Sequence, residues 1–153
     1  MSRQIDHAPY LAACLAQARL GLAEGGIPIG AVLVGADGNV ISAGRNRYVQ
    51  DGSVIHHAEM NCLENAGHLP AAVYKGATLY TTLSPCFMCA GAALLLGIPR
   101  VVAGENRTVA MGEAFLRAHG VDLTVLDSDE CHALLQGYIH THPQIWNADK
   151  GDH

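Results

Sequence analysis

The 153-residue chain has few aromatics, 5% in all, with two Phe, one Trp and five Tyr. A core with so few rings must be filled by aliphatic and small side chains, which let helices lie close against a sheet. Half of the residues are apolar, which excludes an intrinsically disordered chain. Long hydrophobic runs are missing too. The longest, Ala90-Gly91-Ala92-Ala93-Leu94-Leu95-Leu96-Gly97-Ile98, is far below the roughly 20 residues of a membrane span. No apolar stretch follows the charge in Met1-Ser2-Arg3-Gln4-Ile5-Asp6-His7, so no secretory signal is predicted. Positive charge is scarce, with nine Lys and Arg against fourteen Asp and Glu and a formal net charge of −5. The basic residues are dispersed, whereas binding a polyanion needs them clustered. A small neutral ligand is therefore expected, with no nucleic-acid or membrane partner. Five cysteines form no regular framework, which predicts reduced thiols and a cytoplasmic protein. Repeats, low-complexity segments and linkers are absent, and a single domain is expected over residues 1–153.

What is present is an alternation of helical and extended patterns. Tyr10, Leu11, Cys14, Leu15, Ala18 and Leu22 recur at helical spacing and stop at Gly25-Gly26. Ala31–Val34 and Asn39–Ala43 flank Gly35-Ala36-Asp37-Gly38 as a hairpin, followed by a polar loop from Arg45 to Ser53. A helix is predicted over His57–Asn65, a strand over Thr78–Leu83, and a helix over Met88–Leu96 capped at Gly97. Then come a strand at Val101–Gly104, a helix at Gly112–His119 and a fifth strand at Val121–Leu126. Ser128 is placed to cap a last helix, Asp129–His140, stopped by Pro143. The alternation predicts a mixed, partly parallel sheet covered on both faces.

Two short segments carry chemistry: His57-Ala58-Glu59 and Pro85-Cys86-Phe87-Met88-Cys89. Cys86 and Cys89 are three apart and share a helix face, with Cys86 near a helix N-terminus where the dipole favours thiolate. His57, Cys86 and Cys89 make three ligands for one Zn²⁺ and leave its fourth position open, which is the pattern of catalytic rather than structural zinc. Zinc can lower the pKa of a bound water toward about 7, giving a hydroxide nucleophile. Glu59, two residues from His57, is placed to shuttle protons between that water, a ring nitrogen and a departing amine. A lone C-x-x-C is more often a redox pair or half a structural zinc site, and a lone H-x-E is common by chance. Their combination, with a strand leading into P-C-x-x-C, is the signature of zinc nucleobase deaminases. The H-x-E register selects His57 over His56. Cys14, Cys62 and Cys131 fall on apolar helix faces as packing residues.

The chain resembles the cytidine deaminase superfamily and, within it, the fungal-type cytosine deaminases. The likeness extends over Glu24–Gly30, Gly52-Ser53, Leu63-Glu64-Asn65, Leu79–Cys86, Gly97–Arg100, Gly104-Glu105-Asn106, Pro143-Gln144 and Trp146. It implies a three-layer α/β/α sandwich around a five-stranded mixed sheet, in a homodimer. It also implies that Asn46 binds the carbonyl edge of a pyrimidine, that the backbone at Ser84 holds its amino group, and that Ala58 faces the ring through its N–H. Ile29 and Leu83 would line the pocket, Trp146 would cover the base and Asp149 would sit beside the leaving amine. From the residues alone, Asn46 reads rather as a turn residue and Trp146 as a core anchor. The chain departs from the fungal-type pattern in three places. Phe87 replaces an acidic residue, the segment 107–111 is one residue shorter, and Lys150 replaces an apolar residue. Phe87 is expected to supply aromatic surface to the pocket.

The expected activity is hydrolytic deamination of a small nucleobase, cytosine to uracil and ammonia. A guanine or other purine deaminase is the alternative. A tRNA adenosine deaminase fits the acidic balance poorly, and a nonenzymatic zinc scaffold would have no need of Glu59.

Overall fold

The computed structural model describes residues 4–150, apart from the side chain of Lys150. In chain order the elements are α1 (Ala8–Ala23), β1 (Gly30–Val34), β2 (Val40–Arg45), α2 (Tyr48–Asp51), α3 (Ala58–Ala66), α4 (Ala71–Lys75), β3 (Thr78–Leu83), α5 (Phe87–Leu96), β4 (Arg100–Glu105), α6 (Glu113–Ala118), β5 (Asp122–Val125), α7 (Asp129–Thr141) and α8 (Pro143–Lys150). The five strands form one sheet in the order β2-β1-β3-β4-β5. β1 is antiparallel to both β2 and β3, whereas β3, β4 and β5 run parallel. The expected mixed five-stranded α/β/α sandwich is the observed one.

Alternation along the strands sorts the core into two layers. Ala31, Leu33, Leu79, Leu83 and Val101 face a cluster that includes Ala58 and Cys62 of α3 and Ala90 and Ala93 of α5. Val32, Val34, Tyr80 and Val102 point the other way, toward Cys14 of α1. Each fully buried Leu or Val in these layers contributes roughly 1.5–3 kcal/mol of transfer free energy. Glycine sets the layer spacing at two points. A Cβ on Gly30 would lie 2.0 Å from the Cys14 carbonyl oxygen of α1, and one on Gly44 would lie 2.3 Å from the Cys62 nitrogen of α3.

Two expectations need correction, and one helix was not expected. The loop Arg45–Ser53 contains the single turn α2, held by an Arg47–Asp51 ion pair of 2.8 Å at i,i+4 spacing. A second short helix, α4, follows Pro70. Pro143 does not end the helical part of the chain. It is the first residue of α8, where its missing N–H leaves no bond unmade. Ser128 caps α7 as expected, accepting the Cys131 amide at 3.2 Å.

Candidate active site

Strand directions bring the site together. Because β1 is antiparallel to both β2 and β3, its start lies between the end of β2 and the end of β3. Gly30 N–H donates to Thr82 Oγ1 at 3.2 Å, and Asn46 N–H donates to the Ile29 carbonyl at 3.0 Å. At the same sheet end β3 runs through Leu83, Ser84 and Pro85 into α5. Cys86 is the N-cap of α5 in extended conformation, and Cys89 lies in its first turn. His57 is the N-cap of α3, also extended, rather than the first helical residue. Both caps turn their side chains out of the helix toward one point.

At that point His57 Nδ1, Cys86 Sγ and Cys89 Sγ lie within 4.8 Å of one another. The separations are 3.3 Å for Cys86 Sγ to His57 Nδ1, 3.7 Å for Cys89 Sγ to His57 Nδ1 and 3.6 Å between the sulfurs. Bonds of about 2.3 Å to sulfur and 2.0 Å to nitrogen at tetrahedral angles place sulfurs about 3.8 Å apart and sulfur and nitrogen about 3.6 Å apart. The three donor atoms therefore fit one zinc ion without rearrangement. The thiols respond oppositely to their surroundings. The hydrogen bond with Cys89 holds the Cys86 thiol well below the usual range, with His57 adding to the effect against the opposing cost of burial. Cys89 is pushed up, first by that same hydrogen bond and then by burial. Binding a metal would require both sulfurs as thiolates and so would release their protons.

Glu59, buried in the first turn of α3, lies beside this trio and outside it. Its Oε2 accepts from Cys89 Sγ at 3.1 Å, and its Oε1 accepts from the Thr81 hydroxyl at 2.5 Å. Sequence reading missed Thr81. It is fully buried in the middle of β3, and nothing in a run of strand residues marks which of them faces a carboxylate.

The polar residues implied by the resemblance also meet here. Asn46 is fully buried; its Oδ1 accepts the Tyr48 amide at 3.0 Å, and its Nδ2 donates to Asp149 Oδ2 at 3.4 Å. Asp149 Oδ1 lies 3.2 Å from His57 Nε2, with its side chain fully enclosed. Trp146 of α8 is buried in the same core cluster as Ile29, Leu83 and Ala58. Ser84 is buried, donating its hydroxyl to Glu113 Oε2 at 2.6 Å, a contact the sequence did not signal. Phe87 is not brought into this cluster. It is 64% exposed at the start of α5, and the apolar grooves at the other end of that helix are lined by Leu95 and Leu96. His56 also points away, bonded to Glu64 at 2.5 Å. Lys150, the third departure, has its side chain outside the described residues.

Comparison with known proteins agrees with this geometry. Residues 4–105 match the family model described as the cytidine and deoxycytidylate deaminase zinc-binding region. The chain is 46% identical over 147 residues to a cytosine deaminase of Candida albicans, covering 96% of this chain and 98% of the relative. It is 40% identical over 96 residues to a tRNA-specific adenosine deaminase of Bacillus subtilis, covering 62% of this chain and 59% of the relative. Among solved structures, a guanine deaminase from Nitrosomonas europaea superposes with a TM-score of 0.73 at 25% identity, covering 90% of this chain and 86% of the other.

Proposed function

Because this chain belongs to the cytidine and deoxycytidylate deaminase zinc-binding family, we propose that it catalyses the hydrolytic deamination of free cytosine to uracil and ammonia. The observation that carries the reading is the placement of Glu59 against a three-donor zinc site, with the buried amide of Asn46 at the same sheet end. The near full-length identity to a cytosine deaminase supports the choice of base. When bound by His57, Cys86 and Cys89, zinc supplies an acidified water as the nucleophile. Glu59 takes the proton of the attacking water at Oε2, while Thr81 holds Oε1 and so fixes the carboxylate plane. The same carboxyl group delivers that proton to the ring nitrogen, then takes the second proton from the newly added hydroxyl and passes it to the amine, so that the C–N bond breaks as the carbonyl forms and ammonia leaves. Asn46 orients the base at its carbonyl edge, and the Ser84 carbonyl receives the amino group. Trp146 covers the ring and excludes water, and the N–H of Ala58 faces it. Ile29 and Leu83 form its apolar wall. Asp149 orients His57 through Nε2 and lies where ammonia departs.

The protein acts as a homodimer in this reading. Ile55 and Leu95 border a groove of about 250 Å³ that also takes in Met60, Leu63 and Leu96. Leu95 is 86% exposed, an unusual position for a leucine at the centre of an apolar surface. The five cysteines are unpaired, which supports a reducing, cytoplasmic setting, and no helix among the described residues is long and apolar enough to cross a membrane. The acidic balance supports a small-molecule substrate over nucleic acid.

Ammonia release from the zinc-loaded protein across cytosine, cytidine, guanine and adenosine tests the reading. Cytosine should be turned over far better than the rest. Preference for guanine would favour the second reading, which rests on the superposition with the Nitrosomonas enzyme. Glu59→Gln should keep one zinc per chain and lose turnover by at least about a hundredfold.

A further inference from the structure

Glu113 has no part in the reaction as described, yet it is a carboxylate only 7% exposed at the first position of α6. Burying a carboxylate costs several kcal/mol or more unless donors surround it, so its partners indicate what it is there to hold. Its Oε2 accepts the Ser84 hydroxyl at 2.6 Å. Its Oε1 accepts from Asn106 Nδ2 at 3.3 Å and from Arg117 Nη1 at 3.4 Å. Ser84 lies between β3 and the metal ligand Cys86, and Asn106 opens the segment that leads to α6.

We propose that Glu113 is a positioning residue that clamps the Ser84 turn to the 106–112 segment, so that one buried side chain sets both the substrate contact at Ser84 and the loop beside it. Three further contacts fit the clamp. Ser84 N–H donates to the Glu105 carbonyl at 2.8 Å, so the residue is tied at its backbone as well as at its hydroxyl. Gly112 N–H donates to the Pro85 carbonyl at 3.0 Å. A Cβ on Gly112 would lie 2.7 Å from that oxygen and 3.0 Å from the Cys86 carbonyl oxygen, so the start of α6 is seated directly on the turn. Inside the segment, Glu105 holds Thr108 by its amide at 3.0 Å and its hydroxyl at 2.6 Å. The segment is therefore closed at its base by Asn106 and Glu113 and pinned from within. Its shortening relative to the fungal-type pattern is accommodated without freeing Ser84.

The kinetic arm of the test rests on the cytosine reading; the exchange arm does not. The full-length, zinc-loaded protein is compared as wild type, Glu113→Ala, Ser84→Ala, the double variant and Glu113→Gln. Each alanine variant should lower kcat/KM for cytosine by between tenfold and about a hundredfold, with zinc content unchanged. The double variant should be no worse than Glu113→Ala alone, because that substitution already removes the contact that Ser84→Ala removes. Glu113→Gln, which keeps an acceptor oxygen, should recover part of the loss. Peptide-resolved hydrogen exchange should speed up in both the 84–90 and 106–112 regions in either alanine variant. The clamp is overturned if the single losses multiply, if zinc is lost, if kcat and KM stay fixed while only Tm falls, or if exchange changes in α6 alone. Should the wild type leave cytosine untouched, the proposed substrate fails and the exchange result alone decides the clamp.

Discussion

His57 and Asp149 are 92 positions apart in the chain, yet His57 Nε2 lies 3.2 Å from Asp149 Oδ1. The contact suits the tautomer that a metal-bound imidazole would take. With Nε2–H donated to the carboxylate, Nδ1 carries the lone pair, and Nδ1 is the atom that faces Cys86 and Cys89. Carboxylates behind metal-binding histidines fix ring orientation and raise ligand basicity. The last helix of the chain thus acts on the first metal ligand.

Asp149→Ala should weaken zinc binding by about ten- to a hundredfold in a competition assay against a chromophoric chelator. Asp149→Asn, whose carbonyl oxygen can still accept from Nε2, should lose less. Equal zinc affinity in Asp149→Ala and wild type would show that the contact does not orient the ligand.

Thr81 offers a second, separable test. Its hydroxyl is the donor that holds Glu59 Oε1 inside a buried strand. Thr81→Val keeps the shape and removes the donor, leaving an acceptor unsatisfied at a cost of about 1–3 kcal/mol. A fall in kcat of about tenfold or more is expected, with KM nearly unchanged and recovery in Thr81→Ser. If Thr81→Val and Thr81→Ser turn over alike, the hydroxyl does not position Glu59.

Three buried thiols away from the site make stability fall at high pH. Burial raises Cys14, raises Cys62 to about 12, and raises Cys131. A folded pKa above the unfolded value means that the stabilisation is complete below about pH 9. It is lost as pH climbs from there through the folded pKa, because the unfolded chain releases protons that the folded chain retains. Each thiol contributes a slope of about 1.4 kcal/mol per pH unit within that window. Urea unfolding between pH 8 and 11 should show falling stability, and Cys14→Ala should flatten the fall by one thiol's worth. An unchanged slope in that variant would contradict the assignment.

Leu95→Glu places a charge in the exposed apolar groove of α5. Light scattering should report a dimer for the wild type and a monomer for the variant, with far-UV circular dichroism unchanged. A wild-type monomer at tens of micromolar would remove the homodimer from the proposed function.

Much of the site could be read from the chain itself where the physics is local. Cys86 and Cys89 are neighbours because of helical spacing, and His57 and Glu59 are neighbours because two residues at a helix start cannot be far apart. The five strands were legible in their β-branched, aromatic and apolar content and in the Gly35–Gly38 turn between the first two. α2 and α4 were not, since single turns carry too little periodicity to register. α8 was hidden because proline stops a helix in its interior and starts one at its first position, and composition does not distinguish the two.

The chain alone therefore determined the donor atoms, the acid beside them and the class of fold, because each depends on spacing within one element. Only the tertiary structure decided what supports them. Asn46 meets Asp149, Thr81 meets Glu59 and Ser84 meets Glu113 because β1 runs against its neighbours and brings three strand ends to one side of the sheet. Phe87 illustrates the same division. Its place in the motif suggested the pocket, but the side of α5 on which it falls puts it at the surface. Long-range contacts of this kind are set by strand order and helix packing, which no local pattern of residues encodes.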